Sequence, residues 1–210
     1  MLRSKKNVFW EALLITILIF LAGFLFGVYI EGRNFDTISD YSTNSEINLL
    51  DGMILVQMSE ELDLGCDFLK EENIEFADRI YEEAKLLEKY EEAGKITESM
   101  RILHRKYSLL RTFAWKSNSN VIDKCDNYDL LVYLYEYEPD SLDVRATQAV
   151  WSNKLTDIKK DNPNMVLLPI AVNQGLSSLD ILLEEYGVES FPAVVVNNKD
   201  ILYNLDNFDL

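Results

Sequence analysis

The sequence predicts an α/β C-terminal domain with the element order β-α-β-α-β-β, preceded by an α-helical hairpin and, at the N-terminus, a transmembrane helix. Three features carry this expectation. An uncharged apolar run fills residues 12–30; two stretches of helical hydrophobic period flank a break at Gly94 and Lys95; and beyond residue 127 the apolar spacing shifts to short β-branched and aromatic runs. The implied segments are 1–33 (cytoplasmic tip and transmembrane helix), 34–65 (juxtamembrane connector with one short helix), 66–126 (antiparallel hairpin) and 127–210 (α/β domain). A chain of 210 residues, 48% of them hydrophobic, can bury one modest domain besides these accessories, which excludes a large multidomain enzyme.

Residues 12–30, ALLITILIFLAGFLFGVYI, contain no charged side chain. At a rise of about 1.5 Å per residue the run matches the roughly 30 Å of a bilayer's hydrocarbon core. A cleaved signal peptide would have an apolar region of about 7–15 residues followed by a small-x-small site. Here the run closes on Val28, Tyr29, Ile30 and Glu31, so the expectation is an uncleaved anchor in the lipid bilayer. Arg3, Lys5 and Lys6 precede it and only Arg33 follows closely. That bias keeps the N-terminus cytoplasmic and places the C-terminal domain outside a cell membrane crossed once. Gly23 and Gly27 form a GxxxG, a spacing through which two such helices can approach as a homodimer, although glycine is common in membrane helices without any dimer.

The formal net charge is −16. Arg3, Lys5, Lys6 and Arg33 are basic, and only Glu11 and Glu31 are acidic, in the first 33 residues, so the acidic excess belongs to the part beyond the membrane. Such a surface repels phosphate backbones, and no nucleic-acid partner is expected. No N-x-S/T sequon is present.

Residues 34–65 are polar and turn-prone at first, then apolar enough for one helix. From Cys66 the pattern sharpens: Leu69, Ile74, Phe76, Ile80, Ala84 and Leu87 recur at helical spacing, and after Gly94-Lys95 the residues Ile96, Met100, Leu103, Tyr107, Leu110 and Ala114 follow the seam spacing of helices packed side by side, as in a coiled coil. Cys66 and Cys125 lie almost equally far from the glycine break, so folding the hairpin there brings the only two cysteines to one end. An oxidising exterior favours a disulfide, which would stabilise by roughly 4 kcal/mol in the chain-entropy picture. The alternative is a pair of buried reduced thiols. A redox-active role ranks behind both, because cysteines in distant elements lack the close pairing and helix-start placement that activate a thiol.

The lone His104 cannot supply a zinc site without carboxylates, and the acidic residues show no D-x-D-x-D-G spacing. No metal or other cofactor is expected. From Asp129, DLLVYLYEYE reads as a buried strand. SLDVRATQAVWSNKLTDIKK reads as a helix with Val144, Trp151, Leu155 and Ile158 on one face, capped by Asp140 or Ser141. MVLLPIAV, SLDILLEEYG, AVVVNN and ILYNL complete the order as strand, helix, strand and strand, with a tight turn over residues 197–200.

Tyr186-Gly187-Val188, two variable residues, Phe191-Pro192-Ala193 and Val194-Val195-Val196 together resemble the stretch by which the thioredoxin family enters its third core strand. The resemblance covers about residues 128–205. It implies a cis peptide bond before Pro192, a groove for substrate peptide beside Phe191 and Pro192, and the strand order 2-1-3-4. In that order Pro169 falls on an edge strand, where proline is tolerated. In composition the whole also looks like small archaeal membrane proteins.

The family's Cys-x-x-Cys belongs in EYEPDSLDVRATQ, which has no thiol, and Ser141, the hydroxyl near its place, has no adjacent histidine or lysine. The chain also ends without the family's last helix, leaving a sheet face for the hairpin to cover. The expected function is therefore a redox-inactive, non-catalytic thioredoxin-like module, anchored by one membrane span, that binds or scaffolds an unidentified protein. Two alternatives stand beside it: a thiol–disulfide oxidoreductase working through Cys66 and Cys125, and a structural membrane protein self-associating through its GxxxG and hairpin.

Overall fold

A computed structural model describes residues 9–11, 13–27, 46–48, 50–52, 54–55, 58, 62, 64–92, 98–205 and 208. The chain forms two compact units, Met1–Asn44 and Ser45–Leu210. In the first, Phe9–Gly27 is one helix (α1), long and apolar enough to cross a membrane, with Phe20, Leu25 and Phe26 among its exposed side chains. A Cβ added at Gly23 or Gly27 would meet nothing within 4 Å, so no contact within the chain requires glycine there. The basic residues Arg3, Lys5, Lys6 and Arg33, and the hairpin break at Gly94-Lys95, lie outside the described residues.

The second unit is a helical hairpin followed by a mixed α/β region. Cys66–Glu92 forms α2 and Glu98–Lys124 forms α3, and the two pack along each other. Apolar residues at helical spacing form their seam: Leu69, Phe76, Ile80 and Ala84 on α2, and Met100, Leu103, Tyr107, Leu110 and Ala114 on α3, all buried. Helical residues of the connector join them. A Cβ on Gly52 would come to 3.0 Å from the Phe76 ring, a close approach that glycine makes without displacing the ring.

The sheet comprises β1 (Asp129–Tyr135), β2 (Met165–Ala171), β3 (Ala193–Val196) and β4 (Asp200–Leu202), in the order β2-β1-β3-β4. β1 runs parallel to β2 and antiparallel to β3, and β3 is antiparallel to β4. The β1-to-β2 crossover is α4 (Leu142–Asp161), and α5 (Ser177–Tyr186) precedes β3. Because strand side chains alternate, β1 sends Leu131 and Tyr133 to one face, where they meet Trp151 and Leu155 of α4 together with Met165 and Val194. Leu130, Val132 and Leu134 point to the other face and are also fully buried. There α3 lies across β2 and β1, α2 reaches β2, and α5 packs on α3. The hairpin thus covers this second face of the sheet.

This position explains what the seam pattern did not foresee, that α3 buries residues on both its α2 side and its sheet side and keeps a stripe through Ile102, Arg105, Leu109, Lys116 and Asn120 exposed. Trp115 is wholly enclosed, stacked on Tyr186 at 5.1 Å, with its ring N–H donated to Asn198. The polar run Ser117, Asn118 and Ser119 is buried as well, and each side chain donates to a carbonyl three or four residues back in α3.

The third strand is shorter than AVVVNN. Asn197 and Asn198 adopt positive φ angles of 50° and 58° at the centre of the turn from Val196 to Lys199, whose N–H donates to Val196 O at 3.0 Å, within the three-residue connection between the paired Val196 and Asp200. Positive φ at both central residues is the primed turn whose twist suits a hairpin, and asparagine tolerates it. Asn197 also ties the turn to β1, accepting from Leu130 N–H at 2.7 Å and donating to Asp129 at 2.9 Å. Pro169 lies in the edge strand β2, where its missing N–H faces no neighbouring strand.

Leu155→Ala should cost about 2–5 kcal/mol in chemical denaturation, because it empties the centre of the α4–sheet contact. Glu83, on α2, accepts from Tyr107 and Asn48. Burial nevertheless outweighs those bonds and raises its carboxyl above the ordinary range. A raised carboxyl contributes stability that is full at low pH and lost as pH rises through the folded-state value. Glu83→Gln, which never ionises, should therefore gain stability relative to the wild type between pH 4 and pH 7, as read by denaturation midpoints; a gap independent of pH would contradict this.

Candidate functional site

The site is built where the hairpin's open end meets the entry to the sheet. Cys66 is the first residue of α2, and Leu69 N–H already donates to Gly65 O to start the helix. Cys125 directly follows α3, its N–H donating to Val121 O at 2.8 Å. The two form a disulfide with S–S 2.09 Å and Cα–Cα 5.6 Å, spanning a sequence separation of 59.

The partners differ in access. Cys66 is half-buried, whereas Cys125 is only 6% exposed. Cys66 Sγ lies 3.5 Å from Lys124 O. Lys70, one turn further along the same face of α2, donates its ammonium to Asp126 O, which pins the chain just after Cys125 to the helix start. On the inner side a small cavity of about 20 Å³ lies among Leu69, Asn73, Phe113 and Val121. On the outer side an open groove of about 620 Å³ begins at Asp67 and Lys70 and runs between Glu71 and Asp78 of α2 and the Asn127–Tyr128 and Pro163–Asn164 segments. Tyr128, in its wall, donates to Asn118. Burial, and secondarily the charge of Asp78, push its phenol well above the usual range, so it stays a neutral donor.

A thiol at this place differs from an ordinary core cysteine. The unpaired backbone N–H groups and positive dipole end of a helix favour a negative charge in its first turn, and the nearby Lys70 adds a cation. Reduction would thus leave a reachable sulfur in the first turn of a helix, beside a sheltered partner within bonding distance.

The structure corrects the sequence-based function. The reading of a redox-inactive, non-catalytic module rested on the missing Cys-x-x-Cys, and the Cys66–Cys125 bond overturns it, since the chain does hold a redox-capable pair. The argument that distant cysteines lack close pairing and a helix start fails on both counts. Hairpin closure supplies the pairing, and Cys66 opens α2. The signal was present in the sequence, for the helical period begins at Cys66 itself, behind Gly65.

The other sequence candidates are arranged differently. The Phe191–Pro192 peptide bond is cis, and both residues are half-buried where the chain enters β3. Ala193 pairs with Leu134 near the end of β1, whereas Cys125 precedes its beginning. The length of β1, roughly 20 Å for seven residues, separates them. No single substrate bond can therefore touch both. Ser141 serves as the N-cap of α4, accepting from Val144 N–H at 3.5 Å. His104 packs on the Tyr137 ring at 4.5 Å, and among the described residues no cluster of three or more His, Cys, Asp and Glu could hold a metal.

After mild reduction, iodoacetamide should modify Cys66 well before Cys125, as peptide mass mapping would show. Equal rates at both sites would mean that the asymmetry of burial does not govern access. No family model, curated protein or solved structure matches the chain.

Proposed function

We propose that the protein is a membrane-anchored thiol–disulfide oxidoreductase whose reactive pair is Cys66 and Cys125. The observation that carries this reading is an accessible cysteine in the first turn of a helix, bonded to a buried one. In the reduced protein, Cys66 thiolate attacks a sulfur of a substrate disulfide, forming a mixed disulfide and releasing one substrate thiolate. Cys125, deprotonated, then attacks Cys66 Sγ. The second substrate thiolate leaves, and the protein disulfide forms. The substrate gains two electrons and the cysteine pair loses two; the same steps in reverse oxidise a substrate dithiol.

The scaffold we assign is thioredoxin-like. The β2-β1-β3-β4 order, the cis bond before Pro192 and the Tyr186-Gly187-Val188 to Val196 stretch support that assignment. The exchange chemistry then lies away from the family's usual place, at the hairpin end. The Phe191–Pro192 groove is left for docking a protein partner. The excess of Arg3, Lys5 and Lys6 before α1 supports a cytoplasmic N-terminus with the second unit outside, in a compartment where disulfides persist.

The test uses the full chain in detergent. Cys125→Ser should accumulate a mixed disulfide with oxidised glutathione at Cys66, visible by intact mass, and Cys66→Ser should not. Wild-type protein should reduce insulin in the presence of dithiothreitol, and each serine variant should lose that activity. A bond that resists mild reductant, with no insulin turnover, would reduce the pair to a covalent staple and overturn the proposal.

A further inference from the structure

Away from the disulfide, a cavity of about 660 Å³ opens between α2, α4 and the edge strand β2. Its volume falls within the roughly 300–1,000 Å³ typical of small-molecule sites. Two properties of its wall stand out against the rest of this acidic chain.

The first is a run of aromatic rings. Tyr133 and Tyr135, two apart on β1 and hence on one face, stack at 5.5 Å, and Tyr81 of α2 and Tyr137 join them in the wall. The second is convergent positive charge. Arg111 reaches the cavity from α3, Arg145 from α4 and Lys85 from α2. Arg111 is buried and donates to Pro169 O at 2.8 Å, and Arg145 donates to Pro139 O at 3.2 Å, so backbone carbonyls orient both guanidinium groups. Lys85 lies 5.7 Å from the centre of the Tyr81 ring. The wall also carries the carboxylates of Glu136 and Glu138, and Glu138 faces Arg101 at 3.5 Å. In a protein of net charge −16, such a concentration of cations beside aromatic faces is selective for a ligand that carries both an anionic group and a flat ring.

We infer that this cavity is a binding site for a small aromatic anion, a carboxylate or phosphate ester, whose ring lies against the half-buried Tyr135 and whose anionic group meets Arg145 and Arg111. The inference stands apart from the thiol chemistry, because no residue of this wall adjoins Cys66 or Cys125 in sequence.

Isothermal titration of the full chain in detergent, with phenyl phosphate and benzoate as probes and phenol and inorganic phosphate as half-probes, tests it. Saturable binding of phenyl phosphate or benzoate, clearly tighter than either half-probe, is the expected result, and the tighter of the two identifies the anionic group. Arg145→Gln, an exposed change, should weaken that binding by about ten-fold, as loss of one charge-assisted hydrogen bond implies. Tyr135→Leu should weaken it as well, and Cys125→Ser should leave it unchanged. Phenyl phosphate and benzoate binding no better than inorganic phosphate, or an affinity indifferent to Arg145→Gln, would overturn the inference.

Discussion

The burial of α3 between α2 and the sheet is the constraint on which the second unit depends. A helix normally hides one stripe and wets the other, but α3 has a second apolar wall in Leu130, Val132 and Leu134 of β1 and their neighbours on β2. Both faces of the sheet are thereby closed, one by α4 and the other by the hairpin. The polar side chains Ser117, Asn118 and Ser119, exposed in an isolated hairpin, become interior groups, and they keep their hydrogen bonds by turning back on their own helix. Trp115 at the same depth reaches Asn198 in the β3–β4 turn, so the hairpin and the far edge of the sheet are joined through one buried indole.

That arrangement also decides where covalent chemistry can sit. Once α3 is held against β1 and β2, its last residue, Lys124, and the start of α2 meet just before β1 begins, and Cys66 and Cys125 fall within bonding distance. The cis Phe191–Pro192 bond sits at the other end of the same strand. The loop after β1 is held by contacts of its own. Asn173 exchanges two hydrogen bonds with the Tyr137 backbone, both at 2.8 Å, and Ser141 caps α4. Those contacts fasten the loop to the end of β2 and use its polar groups structurally.

The edge strand β2 is protected by the same neighbours. Pro169 removes one donor, Arg111 occupies its carbonyl, and Lys159 of α4 reaches Met165 O at 2.6 Å. An edge treated in this way offers little for a second chain to pair with, which keeps an exposed α/β sheet from extending itself. Two of the charges that shield the strand thus come from helices on opposite faces of the sheet.

Much of this was legible in the sequence because it is local. The uncharged run ending at Ile30, the helical period of α2 and α3, the continuous apolar runs of β1 and β2, and the Phe191-Pro192 stretch each report on a few neighbouring residues whose geometry the backbone dictates. Even the meeting of Cys66 and Cys125 followed from hairpin arithmetic. What no local pattern carries is which faces meet. The interior position of Ser117, Asn118 and Ser119 in α3, the end of β3 at two left-handed asparagines, the gathering of Arg111, Arg145 and Lys85 around a tyrosine-lined cavity, and the separation of the disulfide from Pro192 by the length of β1 arise only when helices and sheet pack. Periodicity states that a face is apolar, and burial against a particular partner states what that face is for.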